Sequence, residues 1–222
     1  MTRDPRATTG VSPDAQALLP PGQRGGHRIT VERVVEGEAV QRFYSLYVDA
    51  FAPLRTEAVA RHVLREDEFL EEMVNPLVDK YVAWDGDGRA VAMATLTRHL
   101  ETVPWIEPEY FAHRFPDIAA RNAVFYLGFI LVERGRRRNR LFSEITEAVI
   151  RRTVEARGVC GWDICAFNNR TVGLSEVVKA LSDSVAPIDV EVLDTQTYYC
   201  GIPEVSRPAN VPSMRQQRNG GW

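Results

Sequence analysis

A short basic segment between a strand pattern and a helix pattern could bind phosphate. The strand pattern is FYLGFILV over residues 125–132, the segment is ERGRRRNR over 133–140, and the helix pattern is LFSEITEAVIRRTVEAR over 141–157. A loop that leads directly from a strand into a helix presents free backbone N–H groups and the positive end of the helix dipole at one place. Phosphate binds at such a place. The alternative interpretation is a solvated arginine run between two ordinary elements.

The spacing of this segment resembles the pyrophosphate-binding signature V-x-x-x-x-[RQ]-x-x-G-x-[GA] of the GNAT superfamily of acyltransferases. Val132 takes the first position and Arg137 the Arg/Gln position, whereas Arg140 and Phe142 stand at the two glycine positions. Glycine there lets the backbone approach phosphate closely. Either the arginines replace backbone contacts with charge contacts, or the cradle is looser, or the chain has lost the cofactor. The resemblance implies contacts to acetyl-CoA, or another acyl-CoA, from Arg137, Arg138, Asn139, Arg140, Leu141 and Phe142.

The same resemblance implies two further contacts to the pantetheine arm of the cofactor. In the family the fourth and fifth strands diverge, and the free edge of the fourth strand pairs with the pantetheine amides. That edge is Ile130, Leu131 and Val132 in this chain. An asparagine that ends the next strand also contacts the arm, and Asn168 takes that position, with a helix cap as the alternative role. The tyrosine that would protonate the departing thiolate is replaced by Ser175, so the usual general acid is missing.

Transfer of an acyl group to an amine requires removal of a proton, because an ammonium has no lone pair. Members of the family carry a glutamate six residues before the valine, and this chain has Tyr126 there. A tyrosine with an ordinary pKa of about 10 is a poor base at neutral pH. Tyr126 is therefore a candidate catalytic residue that orients water or substrate, with core packing as the alternative. The connection before it adds titratable candidates, His99, Glu101, Glu107, Glu109 and His113, and aromatic candidates for an acceptor pocket, Trp105, Tyr110 and Phe115.

The composition indicates one intracellular domain. The chain has 222 residues, 45% of them hydrophobic, with a formal net charge of −3 and a pI of about 5.9, which argues against a protein that coats nucleic acid. Cys160, Cys165 and Cys200 form no C-x-x-C pair, so we expect reduced thiols and no metal site. The chain lacks both a run of about 18 apolar residues and an apolar signal segment. We therefore expect a cytoplasmic protein that does not act on membranes.

Sequence patterns predict a domain over residues 27–204 between tails at 1–26 and 205–222 that are too polar to fold. The first predicted elements are a strand at 27–35 and a helix that ends at Pro53, whose apolar residues recur at spacings of three and four. These residues are Val40, Phe43, Leu46, Tyr47, Ala50 and Phe51. A helix from Thr56 to Asn75 and a hairpin that turns at Asp85–Gly88 follow, then a long connection with a short helix at 107–115. After the strand and helix around the basic segment, the predicted elements are a strand at 159–167, a helix at 171–181, and a final strand pair at 189–193 and 197–202.

This order, β-α-α-β-β-β-α-β-α-β-β, is similar to that of the GNAT acyltransferases and predicts an α/β fold with a mixed sheet. The resemblance implies an N-acyltransferase, most simply an N-acetyltransferase, that moves an acyl group from acyl-CoA to a small-molecule amine by direct attack in a ternary complex. Two alternatives stay open. One is an enzyme like the N-acyl amino acid or acyl-homoserine-lactone synthases, which takes longer acyl chains from CoA or acyl carrier protein. The other is a non-catalytic module that senses CoA or binds a partner. We expect a monomer or a homodimer.

Overall fold

The computed structural model describes residues 27–60, 63–133, 135, 138–201 and 203. Five strands form one mixed sheet, in the order β1 (Arg28–Glu32), β2 (Val78–Trp84), β3 (Ala90–Thr97), β4 (Val124–Val132) and β5 (Val159–Gly161). The first four strands are antiparallel to their neighbours, and β5 runs parallel to β4. The mixed α/β class predicted from the sequence is confirmed. The chain divides into two compact units between Val190 and Glu191.

One face of the sheet is covered by α1 (Glu38–Phe51) and α3 (Glu66–Val74). In α1 the buried residues Val40, Phe43 and Tyr47 recur at spacings of three and four, which places them on one side of the helix. This is the apolar pattern from which the helix was predicted. Their neighbours in this first core are Phe69 and Met73 of α3, Met93 of β3, and Phe129 and Leu131 of β4.

The segment between these helices differs from the prediction of one helix from Thr56 to Asn75. A short α2 (Leu54–Glu57) starts directly after Pro53, and α3 begins only at Glu66. The Thr56 hydroxyl does not cap a helix, because it donates to the Pro53 carbonyl at 3.1 Å. The start of α3 is stabilised by a capping box, in which the Glu68 carboxylate accepts from the Arg65 N–H at 2.8 Å.

β2 and β3 form the predicted hairpin, and its turn depends on Asp85. The Asp85 carboxylate accepts from the N–H groups of Asp87 and Arg89 at 3.0 and 2.9 Å, a common use of aspartate in turns. Gly88 adopts a positive φ of 76°, as expected for the second Asp-Gly pair. The long connection after β3 holds the predicted short helix, α4 (Pro108–Arg114), followed by α5 (Pro116–Ala120).

The opposite face of the sheet is covered by α6 (Arg138–Glu155), the predicted amphipathic helix. The helix connects β4 to the parallel strand β5, as predicted. Its buried residues pack on the α6 side of the sheet and form a second core with Phe125 of β4. They are Leu141, Ile145, Ala148 and Val149.

The C-terminal part of the prediction is wrong. The strand predicted at 159–167 ends at Gly161, and α7 (Ala166–Val172) and α8 (Leu174–Val185) replace the helix predicted at 171–181. Residues 187–201 have neither helix nor strand, so the described part of the final strand pair is absent. Alternating apolar residues do not form a stable strand without hydrogen-bonded neighbours, and residues 191–201 are almost all exposed. The two predicted tails, and the boundary at residue 204, lie outside the described residues.

Candidate functional site

β4 changes its neighbour along its length. Residues 124–126 pair with residues 159–161 of β5, and residues 126–132 pair with β3. After Gly161 the chain leaves the sheet, and Cys165 and Phe167 pack against the core under α1 and α3. The edge of β4 from residue 128 to residue 132 that faces away from β3 therefore has no partner strand among the described residues. This is the divergence of two strands that the resemblance implied.

A β-bulge lies where the unpaired edge begins. The register between β3 and β4 shifts at Thr95, so that Gly128 and Phe129 together oppose it. The Phe129 N–H donates to the Thr95 hydroxyl at 3.3 Å. Gly128 is exposed although Tyr126 and Phe129 are buried. A Cβ atom on Gly128 would lie 2.6 Å from Thr95 Oγ1, so this position accommodates only glycine without a shift of its neighbours.

Two backbone N–H groups on the unpaired edge point away from β3. The Glu133 N–H donates to the Val91 carbonyl at 2.9 Å, which directs it toward β3. Because successive N–H groups of a strand point to opposite sides, those of Ile130 and Val132 point to the side that β5 has left. The side chains of Ile130 and Val132 pack in the α6 core, whereas Leu131 is buried under α1 and α3. The cofactor contacts predicted for residues 130–132 stay predictions, and on this edge they fall to the backbone.

The end of β4 is tied to two neighbouring elements. The Glu133 carboxylate accepts from Arg42 of α1 at 2.5 Å and from Arg89 of the hairpin at 3.2 Å. Arg42 also donates to the Ala90 carbonyl at 2.8 Å. The basic segment therefore leaves the sheet from a position that two ion pairs stabilise.

The structure describes the basic segment mainly at its C-terminal end, where α6 begins. Arg134, Arg136 and Arg137 lie outside the described residues. α6 starts at Arg138, three residues before the predicted helix pattern at 141–157, so Arg138 and Asn139 belong to its first turn rather than to the loop. The phosphate contacts of Arg137, Arg138 and Asn139 stay predictions.

The next three predicted cofactor residues point in different directions. Arg140 donates through Nε to Glu144 at 2.8 Å along the helix. Leu141 is buried in the α6 core, and Phe142 is half-buried. The Phe142 carbonyl accepts from the Thr146 hydroxyl at 2.6 Å. Arg140 alone of the three presents a charge, and Glu144 already neutralises it, so any contact to phosphate from Leu141 or Phe142 falls to the backbone.

Asn168 lies inside α7 rather than at the end of a strand, because β5 stops seven residues earlier, at Gly161. The alternative role is also wrong, since the N-cap of α7 is Cys165. Asn168 is half-buried, and its contact to pantetheine stays a prediction. The neighbouring Asn169 joins the two C-terminal helices: its side-chain oxygen accepts from the N–H of Ser175 at 3.4 Å and from the Ser175 hydroxyl.

Tyr126 lies where β4 and β5 separate, and it is only 2% exposed. Its hydroxyl donates to Asp163 and lies 3.2 Å from the indole N–H of Trp105, which is also 3.2 Å from Asp163. Burial, the negative charge of Asp163 and this hydrogen bond raise the pKa of Tyr126 far above its ordinary value. The phenol therefore stays protonated at neutral pH. It can donate a hydrogen bond or a proton, and its catalytic role stays a prediction.

Among the aromatic residues predicted to line a pocket, Trp105 joins the Tyr126 cluster while remaining 56% exposed, and Tyr110 is 42% exposed. A buried aromatic that the prediction missed is Phe111, which lies against β5: a Cβ atom on Gly161 would be 3.1 Å from its ring. Four of the five titratable candidates of this connection form two pairs, whereas His113 is exposed. His99 lies 3.3 Å from Glu101, and Glu107 is hydrogen-bonded to Glu109.

Glu72 is a potential functional residue that the sequence analysis missed. It lies in α3, three residues after Phe69 and directly before Met73, both fully buried. That spacing places it on the buried side of the helix, which is the signal that could have identified it. Its carboxylate is hydrogen-bonded by the Thr95 hydroxyl, and its Oε1 would lie 3.7 Å from a Cβ atom on Gly128. We call Glu72, Thr95 and Gly128 together the Gly128 notch.

A groove between α6 and α8 is a second concave surface. Its charged residues are paired along the helix, Arg140 with Glu144 at 2.8 Å and Arg151 with Glu147 at 4.0 Å, so it offers no excess charge to a ligand. Among the described residues, no three His, Cys, Asp or Glu side chains are grouped so as to hold a metal ion. None of the helices that the structure describes combines the length and the apolar character that crossing a bilayer requires.

Neither a protein-family model nor a curated protein matches the chain. Solved structures that resemble it at low identity include the following three. A tetramutant of the BH1408 protein from Bacillus halodurans is 12% identical, with a TM-score of 0.45, 78% of this chain and 98% of that chain covered. A single-site mutant of the same protein is 15% identical, with a TM-score of 0.43 and 77% and 99% covered. An aminoglycoside acetyltransferase from an uncultured soil metagenomic sample, in complex with sisomicin, is 10% identical, with a TM-score of 0.43 and 79% and 97% covered. These values assign the chain to no family.

Proposed function

We propose that this chain is an N-acyltransferase that uses acyl-CoA, in its simplest form an N-acetyltransferase. The observation that carries the proposal is the unpaired edge of β4. It begins at the exposed Gly128 and runs to Val132, and α6 starts six residues further along the chain, at Arg138. The strand edge would offer amide-binding groups, and the helix N-terminus would offer an anion-binding site.

The unpaired edge suits an extended ligand that contains amides, and pantetheine contains two. Such a ligand can add to a free strand edge as another strand would, through backbone hydrogen bonds. The N–H groups of Ile130 and Val132 would donate to it. Asn168, on the chain that leaves β5, would supply a side-chain amide.

The diphosphate of the cofactor would then lie at the first turn of α6. Free N–H groups and the helix dipole favour an anion there, and Arg137 and Arg138 would add positive charge. Arg140 contributes less, because Glu144 already accepts from it. This division of roles explains how the segment can bind phosphate without the two glycines of the signature.

Acyl transfer would proceed by direct attack of the amine on the thioester. A covalent acyl-enzyme on Cys160 is disfavoured, because burial raises the pKa of this thiol to about 12 and leaves it protonated. Tyr126 would position Asp163 at the point where the strands separate, through the hydrogen bond that its hydroxyl donates to that carboxylate.

Binding of acetyl-CoA tests the proposal directly. Acetyl-CoA should raise the melting temperature of the protein, since a ligand that binds only the folded state stabilises it. Replacement of both Arg137 and Arg138 by alanine should raise the dissociation constant for acetyl-CoA about tenfold or more, because charge-assisted hydrogen bonds contribute roughly 1.5 to 3 kcal/mol each.

The matched control replaces Arg55 and Arg151, two exposed arginines on α2 and α6, by alanine. It removes the same charge and should leave the dissociation constant unchanged. Equal affinity of the two double variants for acetyl-CoA would mean that the basic segment is only a solvated surface and does not bind the cofactor. Absence of any acetyl-CoA binding by the wild type would contradict the proposal.

The pairing of Arg140 with Glu144 and of Ser175 with Asn169 favours a second candidate, a CoA-binding module without catalysis. These two side chains stand at positions where the family places a glycine and the general acid. Binding of acetyl-CoA without release of thiol in the presence of any amine would support this candidate. Thiol release only with longer acyl groups, or only from acylated acyl carrier protein, would support the synthase-like alternative.

A further inference from the structure

The Gly128 notch brings a carboxylate to the open edge of the sheet. Glu72 reaches the notch from α3, Thr95 from β3, and Gly128 from β4. The absence of a side chain at Gly128 leaves its backbone exposed directly beside the carboxylate, with 3.7 Å between Glu72 Oε1 and the position of a Cβ atom. A small group bound at the exposed glycine would therefore contact Glu72.

The surroundings of this carboxylate change how tightly it holds a proton. Burial raises the pKa of Glu72 above its ordinary value, and the Thr95 hydrogen bond and the positive charge of Lys80 oppose part of that rise. Lys80, from β2, donates to the carbonyls of Arg33 and Asn75 at 2.9 and 2.7 Å.

The carboxyl groups of Glu68 and Glu71, which lie on the same helix as Glu72, do not interact with the Glu72 carboxylate. Glu68 is engaged by Arg65, and Glu71 is exposed. Thr95 of β3 and Gly128 of β4 carry no charge. The charged group that faces Glu72 is thus Lys80, which is close enough to influence the carboxylate while its hydrogen bonds go to backbone carbonyls.

We propose that Glu72 binds the ammonium group of the acceptor in the Gly128 notch and removes its proton for acyl transfer. This inference rests on the proposed N-acyltransferase function, and it names both the general base and the acceptor class: a small primary amine that is a cation in solution. The thioester lies along the unpaired edge of β4 and the amine reaches it across the exposed Gly128.

The proton balance of the step is complete. The ammonium R–NH₃⁺ transfers one proton to the Glu72 carboxylate, and the freed lone pair forms a C–N bond to the thioester carbonyl. The C–S bond breaks and CoA leaves as a thiolate. The thiolate takes a second proton from the new nitrogen, so that the products are the amide and the thiol, and Glu72 returns its proton to solvent.

Glu72 fits this role better than Tyr126, the position at which the resemblance led us to look. The Tyr126 hydroxyl already donates its proton to Asp163, and burial beside that carboxylate makes its ionisation harder, not easier. A base needs an unprotonated form at working pH. A glutamate carboxyl ionises more readily than a phenol, because its ordinary pKa is far lower, and the phenol of Tyr126 is buried beside a second carboxylate.

The test measures acetyl-CoA-dependent acetylation of propylamine, ethanolamine and glycinamide as a function of pH, with propanol as an acceptor that lacks the charge. Glu72→Gln keeps the size and the acceptor for Thr95, and should lower kcat by about 100-fold or more, the usual contribution of a general base. The dissociation constant for acetyl-CoA should stay within twofold, which also shows that the variant is folded. The acid limb of the wild-type pH profile should disappear, and Glu72→Asp should retain part of the activity.

The matched control is Glu71→Gln, which removes the same charge from the neighbouring, exposed position of α3. It should behave as the wild type. Equal activity of the Glu72→Gln and Glu71→Gln proteins, in a wild type that is active, would overturn the role of Glu72 and leave the acyltransferase proposal intact. A wild type that neither binds acetyl-CoA nor releases thiol with these amines would overturn both. Equal acetylation of propanol and propylamine would overturn the cationic acceptor.

Discussion

The two parts of β4 are built from similar apolar residues and have opposite surroundings. Residues 124–126 lie against β5, where Tyr126, Asp163 and Trp105 satisfy one another and glycines let the chains approach closely. Residues 128–132 lie against β3 alone, where an exposed glycine faces a desolvated carboxylate. The strand thus has a closed end and an open end. Because the sequence of β4 is apolar at both ends, its own residues do not account for this difference. The open end exists because β5 stops at Gly161 and pairs with residues 124–126 only.

The closed end should be the most sensitive part of the strand. A Cβ atom on Gly158, just before β5, would lie 2.3 Å from the Ala123 carbonyl oxygen, a backbone atom that also accepts from the Val159 N–H at 3.1 Å. Gly158→Ala should therefore lower the free energy of unfolding by about 3 kcal/mol, measured by urea denaturation. Gly86→Ala is the control, because nothing lies within 4 Å of its Cβ position. Equal stability of the two variants would refute the close packing of this end.

Gly128→Ala should have a smaller effect on stability and a larger one on function. The added Cβ atom would lie 2.6 Å from Thr95 Oγ1, a side chain held in a buried strand. We expect a loss of about 2 kcal/mol together with loss of amine acetylation. Thr95→Ala removes the clashing atom, so the double variant should be more stable than the sum of the single effects predicts. If urea denaturation shows that the stability losses of the two single variants simply add in the double variant, the added Cβ atom does not clash with Thr95.

Tyr126→Phe tests whether the closed end depends on its polar cluster. The substitution removes the donor to Asp163, an exposed carboxylate that keeps Trp105 as a partner. We expect a loss of about 1 kcal/mol, as for an ordinary hydrogen bond. Tyr199→Phe, at a ring that is 91% exposed, should leave stability unchanged. Because the wild-type phenol stays protonated, its removal should leave the pH profile of acetylation unchanged. Loss of the acid limb of that profile in the Tyr126→Phe protein would instead identify Tyr126 as the general base.

The smallest expected effect is on the pH dependence of stability at the open end. Because burial raises the pKa of Glu72 above 4.5, the folded state holds its proton more tightly than the unfolded state does. This contribution to stability is present below the unfolded pKa and is lost as the pH rises through the folded pKa. Glu72→Gln should therefore be more stable than the wild type at pH 7, and the difference should shrink toward pH 4.5.

Lys80 does not complicate that comparison, because burial lowers its pKa only to about 8, so it stays charged between pH 4.5 and 7. Urea denaturation at several pH values measures the difference, and Glu71→Gln should show no such trend. A wild type that is more stable than the Glu72→Gln protein at pH 7 would mean that Glu72 is stabilised as an anion.

The fold was predictable where local patterns decide the structure. The apolar spacing of Val40, Phe43 and Tyr47 predicted α1, and the two Asp-Gly pairs predicted the hairpin, because each depends on neighbours in the chain. The strand and the helix around the basic segment were predictable for the same reason. The final strand pair was wrong, since a strand also needs a partner and the alternation of residues 189–193 does not supply one.

The candidate site was predictable only in part. The strand pattern that ends at Val132 was predicted correctly, whereas the helix predicted from Leu141 begins three residues earlier, at Arg138. Asn168 was predicted at the end of a strand but lies inside α7. The length of β5 depends on the packing of Cys165 and Phe167 under α1 and α3, and not on the apolar character of residues 159–167.

By itself the sequence determined the periodicities, the turns and the location of the basic segment, which are properties of residues close together along the chain. The tertiary structure alone decided where β5 ends, which edge of β4 is left free, and which of the carboxylates in the α3 sequence EDEFLEEMV is partly buried beside the sheet. Those outcomes depend on contacts between residues that are dozens of positions apart, such as Glu72 with Thr95 and Gly128. Desolvation and strand pairing arise only when such distant residues meet.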